Sequence, residues 1–488
     1  MNLSLISLEI AVTALGLVML IADLWLPPER KRWMGYGAAV ALGLLFLNTF
    51  TSHCSCALVG QSAFGGMFVQ DALSVFFKRF FLLAGALVLV LAVEFADRIA
   101  GGISEYYSLI VFALAGMLVA ASANDFTLLF VSIELITITF YVLTSFTRGR
   151  VASLEAGVKY LILGALASAF MVFGIALVWG TTGKFNFGDL AMVAGKFADN
   201  KIFLSGVLFV LVGLGFKIAA FPFQIWTPDV YQGAPTPTTA FLAVGSKAAG
   251  FALLLRFLFS AIPDITAQWA SLLIVISGVT ILYGNLCALP QRNLKRLLGY
   301  SSIAHAGYLL LGVAALNGAG QSALLYYLGG YLFTVLAAFA VITLVLRHLE
   351  SEDVFGLAGL AQRSPTLAAT MTLAMASLAG IPPLAGFFGK FLLIKAIVER
   401  GAAHPAYYAL ALVAVVGVVI SIYYYFGVVR AMYWSETVAD RSPVTLSWPA
   451  RAVVGVCVAG MFWLGLFPGT ALGWTGEAVR VLNALPGM

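Results

Sequence analysis

The sequence predicts an all-α integral membrane protein of about fourteen transmembrane helices with no soluble domain of its own. Three observations carry that expectation. Hydrophobic residues make up 62% of the chain and charged residues only 10%, against roughly a quarter charged in a soluble domain. Mean hydropathy is +1.01, so the chain could not cover its own surface in water, and lipid must be its solvent. Apolar stretches of bilayer length, about 20 residues each, fill nearly all of the 488 residues, which sets aside the roughly three soluble domains that length alone would suggest.

The spans read, in chain order, as 3–26, 33–50, 72–95, 106–122, 126–146, 154–179 and 202–230, then 238–259, 269–289, 294–316, 322–346, 367–397, 407–433 and 450–467. The first is too long for the core of a cleavable leader and has no small-residue cleavage site. The seventh and twelfth are unusually long and carry proline inside, Pro222 in one, Pro382 and Pro383 in the other. Proline removes a backbone donor and breaks the helix, and broken helices at membrane depth are tolerated where they line a cavity.

Orientation follows from the basic residues in the loops. Arg30, Lys31, Arg32, Arg148, Arg150, Arg292, Lys295, Arg296, Arg347, Arg430 and Arg441 fall on one face if the spans alternate; Lys184, Lys196, Lys201, Arg400 and Arg480 fall on the other. The first face is expected to be cytoplasmic and both termini extracytoplasmic, in the cell inner membrane. The net charge of +6 is scattered over these loops and gives no stripe for nucleic acid. Cys54 and Cys56 beside His53 lack a second ligand cluster, so they read as small loop residues before a metal site.

An internal repeat is also legible. Shifting the sixth span by 167 positions brings Ala156 onto Ala323, Tyr160 onto Tyr327, Leu161 onto Leu328, Ile175 onto Ile342 and Leu177 onto Leu344. Shifting the seventh by 160 brings Ala219 onto Ala379 and Pro222 onto Pro382. The two broken spans are five apart, and an odd repeat of five helices must be inverted relative to the next, an arrangement typical of transporters. The expected division is 1–103, 104–262 (helices four to eight), 263–435 (helices nine to thirteen) and 436–488, which holds the last helix.

Charge within the hydrocarbon is expensive and reads as functional. Glu134 stands near the middle of its span, Lys217 five residues before Pro222, Lys247 and His305 at the centres of theirs. Lys390 follows the break in the twelfth span, Lys395 lies about a turn and a half further on, and Lys159 is near the basic-loop end of the sixth. These types suit proton transfer. A buried lysine releases its proton more readily than one in water, and a carboxylate about 6 Å away restores the charged form by roughly 3 kcal/mol at an effective dielectric near 20. Glu134 with Lys217 has the types and depth for such a switch. The structural alternatives stand beside it: snorkelling for Lys159, Lys395 and Arg256, a static ion pair for Glu134, Lys217 and Lys247, a hydrogen-bonded core residue for His305. Tyr326, Tyr327 and the 423–425 tyrosine run read as core or interface aromatics. No phosphate-binding glycine loop or iron–sulfur cysteine cluster is present, so the energy for pumping would come from another chain or an ion gradient.

Four motifs carry a family resemblance. LGFKIAAFPFQIWTPDVYQGAPTPTTAFLAVGSKAAGF at 214–251, NLKRLLGYSSIAHAGY at 293–308, LAGIPPLAGFFGKF at 378–391 and SANDFTLLFVSIEL at 122–135 together resemble the antiporter-like N subunits of NADH–quinone oxidoreductase, respiratory complex I. The TPDVYQGAPTP wording favours the N type over the L and M types, and the chain has no long lateral C-terminal helix of the L type. The resemblance implies fourteen helices with four to eight and nine to thirteen as inverted repeats. It implies a central polar axis at Glu134, Lys217, Lys247 and Lys390, with Lys159, Lys295 and His305 as accessory members. It further implies M- and K-type membrane neighbours, and NAD, FMN, iron–sulfur clusters and quinone bound by other subunits, with none in this chain. Gln224 stands where the family often has histidine; glutamine takes up no proton near neutral pH, so a relay step there would use water or be absent. Lys395 is not a motif position. The competing readings are a multisubunit sodium/proton antiporter, a ferredoxin-using photosynthetic-type relative, and a scaffold or quinone-site wall with static charges.

Overall fold

The computed structural model describes residues 3–51, 60–346, 352–402, 404–435 and 443–483; His53, Cys54, Cys56, Arg347 and Arg441 lie outside them. Among the described residues, thirteen helices are long and apolar enough to cross a membrane. The predicted twelfth span falls outside that number because its break leaves two short pieces, Pro365–Ala379 and Ala385–Arg400. The spans are α1 (Ser7–Ala22), α2 (Lys31–Thr51), α3 (Ala72–Glu94), α4 (Ile103–Ala121), α5 (Phe126–Thr144), α6 (Val151–Thr182), α7a (Lys201–Ile218) with α7b (Trp226–Gly233), and α8 (Thr236–Ala261). They continue as α9 (Ala270–Ala288), α10 (Leu294–Ala314), α11 (Gly318–Val345), α12a (Pro365–Ala379), α12b (Ala385–Arg400), α13 (Ala406–Trp434) and α14 (Trp448–Leu466).

Local chemistry sets the starts of these helices. The first turn of a helix has orphan N–H groups, and Asp or Asn at the N-cap satisfies one or two. Asp71 accepts from Ser74 N, Asp125 from Thr127 N, Asn200 from Ile202 N and Phe203 N, Asn293 from Arg296 N, and Asn317 from Gly320 N. A short hairpin of β1 (Gln61–Ala63) and β2 (Phe68–Gln70) ties loops on the face with few basic residues: the Gly66 carbonyl accepts the amides of Asn124 at 3.0 Å and Asn186 at 2.9 Å.

Both expected breaks are present. α7a ends on Ala219 at φ +61°, a left-handed conformation that strains a residue with a Cβ by about 1–3 kcal/mol, and the Trp226 indole N–H donates to the Phe216 carbonyl across the gap at 3.1 Å. α12a ends on Gly380 at φ +89°, where glycine carries no such strain. The register differs from the sequence expectation by one residue. The left-handed caps Ala219 and Gly380 are 161 positions apart, so Pro222 matches Pro383 instead of Pro382, because the cap conformation and not residue identity defines the equivalent point.

α8, α10 and α11 form the interior, buried along nearly their whole length, while α1, α2, α6, α9 and α13 turn most of their surface outward. Two π-helical turns, Leu242–Ser246 and Phe257–Ala261, flank the central part of α8. A sixteen-residue helix that the hydropathy pattern did not reveal, α15 (Pro468–Asn483), lies against α3 and α11, with Thr475 Oγ1 2.8 Å from Ser322 Oγ.

Candidate functional site

α10 is the spine of the site. Ser301, Ser302, His305 and Tyr308 recur at helical spacing, so they share one stripe of a buried helix. α8 brings Lys247 to it immediately after the first π turn, a distortion often found at functional positions. The Lys247 ammonium donates to the Ser302 carbonyl at 2.5 Å and to its hydroxyl, and sits 5.5 Å above the Tyr331 ring. Tyr331 donates to the same hydroxyl at 3.0 Å, and the Tyr231 hydroxyl lies 3.0 Å from it on α7b. One turn on, His305 is held at both ring nitrogens: Nδ1 by the Tyr327 hydroxyl and Nε2 by Tyr425 at 3.0 Å, with Ser301 on the far side of Tyr425. A neutral imidazole donates from one nitrogen and accepts at the other, so this triad can pass a proton between two phenols.

The row continues to α12b. Lys390 is 3% exposed; its ammonium lies 4.8 Å from the Tyr308 ring centroid and donates to the carbonyls of Leu378 at 2.7 Å and Ala379 at 3.3 Å. Those carbonyls close α12a, whose last turn leaves them without helical partners. Toward the other end, Lys217 donates to Thr137 Oγ1 on α5 at 2.7 Å. Its stem packs on Gly250, one turn beyond Lys247 on α8; a Cβ at Gly250 would come within 3.3 Å of it. Glu134 stands one turn from Thr137 on α5, half-buried, and its carboxylate accepts from Ser168 of α6. Lys217 reaches Glu134 through this helix face, not by a direct ion pair.

Of the sequence-derived residues, the structure thus brings Glu134, Lys217, Lys247, His305 and Lys390 into one row at membrane depth. Lys159 and Lys295 lie apart, at the face rich in basic residues. Lys159 pairs with Glu155 and Asp229 at 2.6 Å each, and Arg296 pairs with the same Asp229, fastening α7b between α6 and α10. Lys295, fully buried, pairs with Glu352 at 2.9 Å and donates to the Ala234 carbonyl at 3.0 Å. Lys395 is exposed and pairs with Glu399 at 3.7 Å. Arg256 does not snorkel: it is buried in a two-pronged pair with Asp71 at 2.9 and 2.8 Å and also donates to the Ala121 carbonyl. Gln224 is buried beside Tyr283, and its Oε1 finds no hydrogen-bond partner.

Sequence reading missed the hydroxyl linkers Ser302, Tyr231, Tyr331 and Tyr425. It also missed Asp229 and Glu352 and a second buried pair, Lys78 with Glu9 at 2.7 Å. The charged ones carried a signal, since a carboxylate in or beside an apolar span needs a partner; the hydroxyls carried none. Among the described residues no group of three or more His, Cys, Asp or Glu stands together to hold a metal ion.

Residues 123–421 match the family model described as NADH:quinone oxidoreductase/Mrp antiporter, TM. The chain is similar to NADH-quinone oxidoreductase subunit N of Moorella thermoacetica, 39% identical over 96% of each chain, and to that of Heliobacterium modesticaldum, 40% identical over 96% of this chain and 97% of the relative. Among solved structures, a chain of respiratory complex I from Thermus thermophilus with bound aureothin superposes with a TM-score of 0.78 at 33% identity, covering 96% of this chain and 98% of that one. A chain of the Mrp complex from Dietzia sp. shares the fold, with a TM-score of 0.86 at 21% identity over 99% and 98%.

Proposed function

The chain belongs to the N-type membrane subunits of the NADH:quinone oxidoreductase/Mrp antiporter family, and we propose that within such a complex it moves protons along the row from Glu134 through Lys217, Lys247 and His305 to Lys390. It takes part in NADH:quinone oxidoreduction as a translocating subunit. Quinone reduction elsewhere drives the transfer, and NAD, FMN, iron–sulfur clusters and quinone sit on other subunits. M- and K-type membrane subunits are its neighbours, and the bilayer is the cell inner membrane with both termini extracytoplasmic. Segments 104–262 and 263–435 act as the two inverted repeats.

One observation carries this reading: Lys217, Lys247 and His305 in this row are each held by hydroxyl groups, and Lys390 by backbone carbonyls, instead of being locked in ion pairs. Lys247 meets Ser302, Lys217 meets Thr137, and His305 lies between two tyrosines. A static ion pair would hold its charges against carboxylates, as Arg256 is held by Asp71. Hydroxyls both donate and accept, so a proton can advance along them as each ammonium gives one up. Lys159 and Lys295, ion-paired with Asp229 and Glu352 at the basic face, act as accessory members on the cytoplasmic side.

The test is proton uptake by vesicles holding the whole complex, with NADH and quinone added, in the presence and absence of sodium. The reading expects the same proton transport in both media. Transport that requires sodium would favour the sodium/proton antiporter reading and overturn this one.

A further inference from the structure

On the basic face, a groove of about 380 Å³ opens between the α9–α10 turn, the segment after Glu352 and the end of α13. That volume is in the range of small-molecule sites, about 300–1,000 Å³. Its two cationic lining groups are Arg292, at the turn, and Arg430, on α13; no lining residue is acidic, and neither arginine forms an ion pair among the described residues. Both are exposed. Deeper toward the hydrocarbon the walls are apolar and aromatic: Ile422, Tyr423 and Phe426 are 40%, 74% and 46% exposed. The floor includes Gly427, where an added Cβ would meet nothing within 4 Å. The groove therefore has two cations that no described residue pairs with, and an open apolar channel running from them along the last turns of a membrane-spanning helix.

We propose that this groove is a binding site for an anionic phospholipid, its phosphate held between Arg292 and Arg430 and one acyl chain lying along Tyr423, Phe426 and Gly427. Charge complementarity selects the occupant. Basic pockets between transmembrane helices at this kind of face attract anionic headgroups, guanidinium groups match phosphate oxygens two at a time, and aromatic side chains mark the headgroup level. An apolar protein helix would cover the wall but bring no counter-charge to the arginines.

The test uses the whole complex in mixed-lipid nanodiscs and two photoactivatable probes with the same acyl chains, phosphatidylglycerol and phosphatidylcholine, followed by peptide mapping. Phosphatidylglycerol is expected to label peptides spanning 422–431 several-fold more than phosphatidylcholine. The double variant Arg292→Gln, Arg430→Gln should erase that preference. Gly427→Leu, whose Cβ enters open space, should reduce labelling by both probes. Equal labelling by the two probes in the unaltered complex, a preference that survives the double variant, or cross-linking of these peptides to another polypeptide in place of lipid would each overturn the proposal.

Discussion

The Lys390 ammonium lies 2.7 Å from the Leu378 carbonyl, so a side chain of α12b caps the broken end of α12a. Five residues later, Lys395 is exposed and pairs with Glu399. The two lysines of one helix are thus in different media, and Lys390 is the one in contact with the row. Replacing Lys390 by methionine keeps the length and removes the charge. We expect proton pumping by the reconstituted complex to fall by roughly tenfold or more, which corresponds to about 1.4 kcal/mol or more on the limiting step, while the complex still assembles. Lys395→Met should leave pumping nearly unchanged. A Lys395 variant more damaged than the Lys390 variant would reverse the assignment of the terminal carrier.

Lys217 and Lys247 stand within a turn of each other's level on α7a and α8, one held by Thr137 and the other by Ser302. Substituting either by alanine interrupts the row without leaving a carboxylate unpaired, so assembly should survive. Pumping and quinone reduction should fall together, because a blocked pump holds back the reaction that drives it. Parallel measurements of proton uptake and quinone reduction decide this; full pumping at normal stoichiometry in both variants would show the lysines to be static.

Gln224 is buried within the break in the seventh span, with an amide oxygen that lacks a hydrogen-bond partner. Losing an acceptor that is already unsatisfied costs little, and histidine offers a ring nitrogen to the neighbouring Tyr283 while adding a group that titrates near neutrality. Gln224→His should therefore assemble and pump. Native gel analysis of the complex checks it, and loss of the assembled band would mean that the site is tightly packed and cannot admit the ring.

Much of this was legible in one sequence, and the parts that were not have a common cause. The spans and both breaks follow from local signals: run length, proline, and Asn or Asp at the helix starts. Depth along a span found Glu134, Lys217, Lys247, His305 and Lys390. What depth does not give is the partner. Asp71 meets Arg256 across 185 positions, and Arg150 meets Glu352 across 202, distances at which a single sequence carries no pairing information. Arg256 looked like a snorkelling end residue because its carboxylate lies on another helix. α15 is not legible as a span because Glu477 and Arg480 on its exposed face give it the amphipathic pattern of an interfacial helix.

The loop after α11 supplies the last prediction. Glu352 accepts Lys295 at 2.9 Å, Arg150 at 3.1 Å and the Asn293 amide at 3.3 Å, joining the α5–α6 turn to the start of α10. Burial alone would raise its carboxyl, but the Lys295 and Arg150 charges outweigh that and hold it below the usual glutamate value. A depressed carboxylate contributes stability that is fully present above its unfolded value, near 4.5, and is lost as pH falls through the lower folded value. Glu352→Gln removes the charge at every pH and leaves buried Lys295 with neutral acceptors only, the Ala234 carbonyl and at most the new amide oxygen, a loss of up to about 3–5 kcal/mol for breaking a buried pair. The apparent melting temperature of the variant should therefore lie below that of the unaltered complex at neutral pH. The gap should narrow as pH is lowered from 4.5 through the lower folded value, where the unaltered carboxylate becomes protonated too. Thermal unfolding of both proteins across that range checks it. A gap that stays constant on acidification would mean that Glu352 acts through its size or its backbone contacts and not through its charge.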